Sequence, residues 1–245
     1  MSFTHKQGPE PAITYFRSGF HNGRSPHLDE AVTDGILVDL ADQFHEIKQA
    51  ASSGRVVYQK RMTNGPLDRN IDLVVGPAPR GLGGPPTVDH LGWVKAVPAD
   101  VWLGVEAKSM MTEHHKAQRN RRVEFNAHGL NMHAINMEAV RAGIIIINAS
   151  DTYKSHTSGK VNQHGSGKGR VTSALRELIN IAERTETGSP IGLDAMAACV
   201  VVVDNEDLKQ AKWLGGNPAP ADGQRLSYGR FIERAGSLLV SRFGL

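Results

Sequence analysis

Val101-Trp102-Leu103-Gly104-Val105-Glu106-Ala107-Lys108 is a short apolar run rich in strand-forming residues, and it ends on two charges. Side chains alternate across a strand, so Glu106 and Lys108 project from one face while Val105 and Ala107 point to the other. A carboxylate and an ammonium therefore stand side by side at a strand end. Upstream, Ile71-Asp72-Leu73-Val74-Val75 is a second apolar strand interrupted by a single acid. An ionised carboxylate is costly to bury unless it is paired or binds a metal. Where the two strands pair, Asp72 and Glu106 converge on one point with Lys108 beside them.

Outward from this pair, Arg55 to Met62 reads as a further strand, joined to the Asp72 run through the turn cluster Asn64-Gly65-Pro66. Before it, Ile36, Leu37, Leu40, Phe44 and Ile47 recur at helical spacing, which predicts one helix from Leu28 that ends near Gly54. Residues 1–27 show no periodicity and read as an irregular arm. Pro77 to Pro98 is rich in Gly and Pro and reads as a long loop. After the Glu106 strand, a charged helix is expected from about Lys116 to Arg141, closed by Gly143, then a buried strand over Ile144–Ile147. The segment from Lys154 to Arg170 has hardly any apolar residue and reads as a loop. A helix (Thr172–Arg184), a strand (Ala198–Val203) and a last helix (Tyr228–Arg242) follow. The expected fold is α/β, a mixed central sheet flanked by helices. It forms one domain over 1–245, with its core at 28–149 and a C-terminal elaboration at 150–245.

Paired carboxylates with a neighbouring lysine suit phosphodiester hydrolysis. Carboxylate oxygens select Mg²⁺, which also binds phosphate oxygens. Asp72, Glu106 and the Ala107 carbonyl are the expected ligands, and Mn²⁺ is an expected substitute. Lys108 would orient or deprotonate water, or stabilise developing charge. Either feature alone is ordinary: Glu-x-Lys on a strand usually forms a weak, solvated ion pair. An acid within a strand, a long loop, a strand ending in Glu-x-Lys and then a basic helix make a more specific combination.

That combination resembles the PD-(D/E)XK nuclease superfamily, with the restriction-endonuclease-like fold. Asp72 matches the motif acid on the second strand, and Glu106 and Lys108 match (D/E)-x-K on the third. Ile71 stands where a proline often precedes the acid. The likeness covers roughly Leu28 to Ala149 and is greatest to type II restriction endonucleases. It implies a Mg²⁺-dependent, sequence-specific endonuclease of double-stranded DNA, acting as a homodimer because protein symmetry mirrors a palindromic site. The alternatives are a repair or recombination nuclease of the same fold, or a non-catalytic DNA-binding module. The resemblance also implies an accessory acid from the first helix. Glu30, Asp34 and Glu46 are the candidates, with Glu30 preferred.

Lys116, Gln118, Arg119, Asn120, Arg121 and Arg122 form a cation-dense segment just after the proposed centre. They are expected DNA contacts, through phosphates or base edges, although a solvated helix face would have the same composition. His114, His115, His128 and His133 lack the partners of a zinc site. Gly165-Ser166-Gly167-Lys168-Gly169 lacks the spacing of a phosphate-binding loop, so no nucleotide cofactor is expected. The net charge of +3 is too small to imply nucleic acid by itself. The one cysteine, Cys199, excludes an internal disulfide. With no apolar leader and no membrane-length apolar run, a soluble cytoplasmic protein is expected.

Overall fold

In a computed structural model, residues 6–19, 25–64, 69–81, 87–112, 114–155, 158–163, 167–206 and 210–245 are described. The chain starts with three helices: α1 (Glu10–Ser18), α2 (Pro26–Gln43) and α3 (His45–Ser52). The irregular arm expected over 1–27 is thus corrected at residues 10–18 and 26–27, while 1–5 and 20–24 lie outside the described residues. Ala12, Ile13 and Phe16 recur at helical spacing and bury one face of α1. Helix α2 begins one residue after Ser25, whose hydroxyl accepts from the His27 N–H at 3.2 Å. The single helix expected to run to Gly54 breaks at Phe44, which has an extended backbone. Its ring lies against Gly236, where any side chain would overlap it.

Strands β1 (Val56–Asn64) and β2 (Arg69–Pro77) pair antiparallel. The connecting turn expected at Asn64-Gly65-Pro66 lies, from residue 65, outside the described residues. The expected loop over Pro77–Pro98 contains a short strand, β3 (Val94–Lys95), parallel to β1, and the fully buried Trp93. Next come β4 (Leu103–Met110), α4 (His114–Ile135) and β5 (Val140–Asn148). The expected helix end at Arg141 is therefore too late. Asn136 turns the chain through its side chain, which accepts from the Glu138 N–H, and Arg141 and Gly143 lie in β5. The loop expected over Lys154–Arg170 is corrected in part, with residues 156–157 and 164–166 outside the described residues. It contains β7 (Val161–Gln163), which pairs antiparallel with β6 (Thr152–Lys154) at its start, and α5 (Gly167–Ile179) begins within it. β8 (Ala195–Val202), β9 (Lys212–Trp213) and α6 (Tyr228–Phe243) complete the chain.

The main sheet has seven strands in the order β3-β1-β2-β4-β5-β8-β9. It is mixed: β2 meets β4 antiparallel, while β4, β5 and β8 run parallel. Alternation splits the interior. Leu103, Val105 and Ala107 join Ile144 and Ile146 in the core beneath α1, α2 and α6. Ile145 and Ile147 face the other way, into a core with Phe125 of α4 and Val171 and Leu178 of α5. The expected mixed sheet flanked by helices is what forms. Among the described residues, no helix is long and apolar enough to cross a membrane.

Candidate functional site

The site sits where the central strands stop pairing. The β2–β4 ladder ends at Leu73↔Val105, one residue short of Asp72 and Glu106. On the other side of β2, pairing with β1 includes Lys60↔Leu73 and Met62↔Ile71 but omits the position between. That position is Arg61, whose φ of 53° is left-handed. A non-glycine residue held there costs on the order of 1 kcal/mol, and such strain gathers at functional sites. Asp72 therefore has no ladder partner on either flank, and its carboxylate takes a hydrogen bond that the sheet does not supply. The Ala107 N–H donates to its Oδ2 at 2.8 Å.

Lys108 binds three oxygens. Its Nζ lies 2.6 Å from Glu106 Oε1 and 3.5 Å from Asp72 Oδ2, and it donates to the Ala107 carbonyl at 3.1 Å. Asp72, Glu106, Lys108 and the Ala107 main chain, named from sequence, thus come together around one positive charge. Glu106 is 4% exposed. Burial raises the pKa of both carboxyls, against the opposing pull of Lys108. Burial alone would lower the Lys108 pKa, but Asp72 and Glu106 outweigh it and the net direction is upward. The ammonium therefore stays charged.

Helix α4 closes the site from one face of the sheet. Gly104 leaves room for the Met132 sulfur, and Gly143 leaves room for the Phe125 ring, so the helix lies close over both strands. His128 is fully buried there, with Nε2 3.2 Å from the Gly104 carbonyl and Nδ1 3.9 Å from Glu106 Oε2. Burial pulls its pKa down to about 4, so the ring is neutral and Nε2–H is assigned as donor to Gly104. Glu124, also on α4, raises the pKa of both Glu106 and Lys108 by its charge, and it pairs with Arg121 at 2.6 Å.

The acid that α2 sends toward the centre is Asp29, which sequence reasoning missed. Burial raises its pKa to about 7, and Asp72 and Glu106 add to the rise while Lys108 opposes it. Glu30, the preferred candidate, instead meets His27 at 3.2 Å and Arg61 at 3.3 Å. Asp34 pairs with Lys60, and Glu46 is exposed on α3. A signal for Asp29 was available, because Asp29, Thr33, Ile36 and Leu40 follow one helical stripe and the last three are buried.

The basic segment occupies the first turns of α4. Arg119 and Asn120 are exposed, and Arg122 pairs with Glu177 of α5 at 3.2 Å. Gln118 is buried, and its carbonyl accepts from the Ser173 hydroxyl at 3.3 Å. The side chains of His114, His115 and Lys116 lie outside the described residues, as do Gly165 and Ser166. His133 accepts from Arg141 at 2.7 Å, whereas His128 meets Gly104 and Glu106.

Among the described residues, no three His, Cys, Asp or Glu side chains form a ready-made metal cage. Mg²⁺ does not require one, since it binds through one or two carboxylates and keeps waters or phosphate oxygens in its shell. The oxygens that share the Lys108 ammonium are hard donors of that class, so Asp72, Glu106 and the Ala107 carbonyl fit the ion. No family model, curated protein or solved structure matches the chain.

Proposed function

We propose that the chain is a Mg²⁺-dependent endonuclease that hydrolyses double-stranded DNA at specific sequences, built on the PD-(D/E)XK plan and closest in kind to type II restriction enzymes. One observation carries the reading. A buried carboxylate, Glu106, a half-buried one, Asp72, from the adjacent strand, a main-chain carbonyl and a lysine converge where the β2–β4 ladder ends. A structural ion pair needs one acid for one base. Here two acids, one buried and one half-buried, share one lysine, and the acidic excess suits a further cation.

Hydrolysis joins a water oxygen to phosphorus and releases a sugar oxygen. Asp72 is oriented by the Ala107 N–H and Glu106 by Lys108, so both present oxygens without rearranging. Lys108 remains protonated and donates to a phosphoryl oxygen as negative charge builds, while the attacking water gives its proton to solvent and the leaving sugar oxygen takes one up from solvent. Asp29 adds a third carboxyl at the rim. Bound Mg²⁺ would supply polarisation of the phosphoryl group and a lowered pKa for water. Arg119 and Asn120, exposed on α4, are the proposed phosphate or base contacts.

Supercoiled plasmid incubated with purified protein and Mg²⁺ tests the proposal. The expected outcome is nicking and linearisation that EDTA stops, and discrete bands from a longer DNA. Asp72→Asn and Lys108→Ala are each expected to lower the rate by about a hundredfold or more while gel-shift affinity in Ca²⁺ persists. A wild-type protein that never cuts, or variants that cut at full rate, would overturn it.

A further inference from the structure

Away from the Lys108 centre, three arginines close on one carboxylate. Arg225, Arg230 and Arg234 lie 3.5, 3.3 and 3.3 Å from the oxygens of Glu183. They line a cleft between α6 and the segment after α5, over a floor that includes the buried Met196 and Phe231. Guanidinium–carboxylate bonds usually run at about 2.7–2.9 Å, so Glu183 fits its three partners loosely. Among the described residues, the other acid lining this cleft is Asp194. Its carboxylate is fully buried and bound to Arg184 at 3.0 Å and Arg242 at 2.8 Å, so it is already matched. Three guanidiniums against Glu183 alone leave a surplus of two positive charges in the cleft.

The arginines are also held in place. Arg225 donates to the Ile179 and Ile181 carbonyls, and Arg234 to those of Asp194 and Arg184. Main-chain acceptors fix the two heads without cancelling their charge. Arg230 stands between them on the first turn of α6 and donates to Glu183. All three side chains remain partly open to solvent. Cations fixed beforehand lose little freedom when an anion arrives.

We infer that this cleft binds a phosphate monoester dianion, and that Glu183 fills it as a displaceable stand-in. Guanidinium forks match pairs of phosphate oxygens, and a monoester carries close to two negative charges at neutral pH, the size of the surplus. A DNA backbone diester carries only one. The Glu183 side chain is 29% exposed, so it has a path into solvent when phosphate enters. The apolar floor keeps water from one side and strengthens the attraction. The cleft shares no residue with Asp72, Glu106 or Lys108 and needs no metal, so the inference does not rest on the nuclease reading.

Calorimetric titration of the full chain with inorganic phosphate tests it, without Mg²⁺, at constant ionic strength against chloride and at mildly alkaline pH. Wild type is expected to show saturable binding at one site. Arg230→Gln, whose head bonds to Glu183 and not to main chain, should weaken binding at least about tenfold with an unchanged circular dichroism spectrum. Glu183→Gln should act in the opposite sense and tighten binding about fivefold, because a competing negative charge is gone. A purely structural ion pair predicts no such gain. A blunt DNA duplex without terminal phosphates should not displace inorganic phosphate. A wild type that binds no phosphate, an affinity unmoved by Arg230→Gln, weaker binding in Glu183→Gln, or displacement by that duplex would each overturn the inference.

Discussion

The Ala107 N–H donates a 2.8 Å hydrogen bond to Asp72 Oδ2, so main chain from one strand holds the acid of the next where their ladder has ended. Removing the acceptor and changing its charge should have different effects. Asp72→Asn keeps an oxygen for the Ala107 N–H and should unfold in denaturant close to wild type. Asp72→Ala leaves that N–H unpaired and should lose about 1–3 kcal/mol. Both should lose the rise in melting temperature that millimolar Mg²⁺ is expected to give wild type, because ligand stabilisation requires the binding site. An equal Mg²⁺ response in Asp72→Asn would remove Asp72 from the ligand set.

Lys108 and Glu106 should be coupled in stability. Lys108→Met strands a buried carboxylate and should cost about 3–5 kcal/mol. Adding Glu106→Gln to Lys108→Met removes that unpaired charge, so the double variant should be more stable than Lys108→Met alone. Denaturant melts of the four proteins give the coupling energy, and strict additivity would contradict the contact.

Asp29, and not Glu30, should matter to the reaction. Asp29→Asn is expected to lower the cleavage rate by about ten- to a hundredfold, as loss of a supporting group does in metal sites. Glu30→Gln removes only partly exposed contacts to His27 and Arg61 and should leave the rate within about twofold. The reverse ranking would restore Glu30 as the accessory acid.

Asp89 supplies a pH-dependent tie outside the site. Burial would raise its pKa, but donation from the Tyr58 hydroxyl and from the Leu91 and Trp93 N–H groups outweighs this, and the net direction is downward. A depressed carboxyl stabilises the fold above its unfolded pKa and loses that contribution as pH falls through the folded value. Asp89→Asn should therefore be about 1–2 kcal/mol less stable than wild type at pH 7, with the gap closing under acid. A gap that persists at low pH would show that the charge is not responsible.

Much of this layout was legible because β-branched runs and isolated acids leave strong marks in sequence. The strands carrying Asp72 and Glu106 are legible as apolar runs, and their convergence depends on the two strands pairing, as β2 and β4 do. The helix α1 was not legible, since its three buried apolar residues in nine give a weak period beside Pro and Gly. The α4–β5 boundary was hidden for another reason. Arg141 reads as the end of a charged helix, yet it is 0% exposed in β5, and it donates to the Ser189 carbonyl at 2.9 Å and to His133. Tertiary partners, invisible to local pattern, make that burial possible. Asp29 was missed by one position because local charge favours neither acid, and only the register of the buried stripe separates them.

Arg61 also shapes the outer margin of the sheet. β3 covers only Val57 and Tyr58 of β1, and the remainder of that strand carries Lys60 and then the left-handed Arg61. A strand arriving from another molecule would have to bend in step with Arg61 and settle beside two cations. The irregularity that frees Asp72 from its ladder on one side thus discourages fibril-like stacking on the other, so concentrated protein is guarded against edge-to-edge growth there.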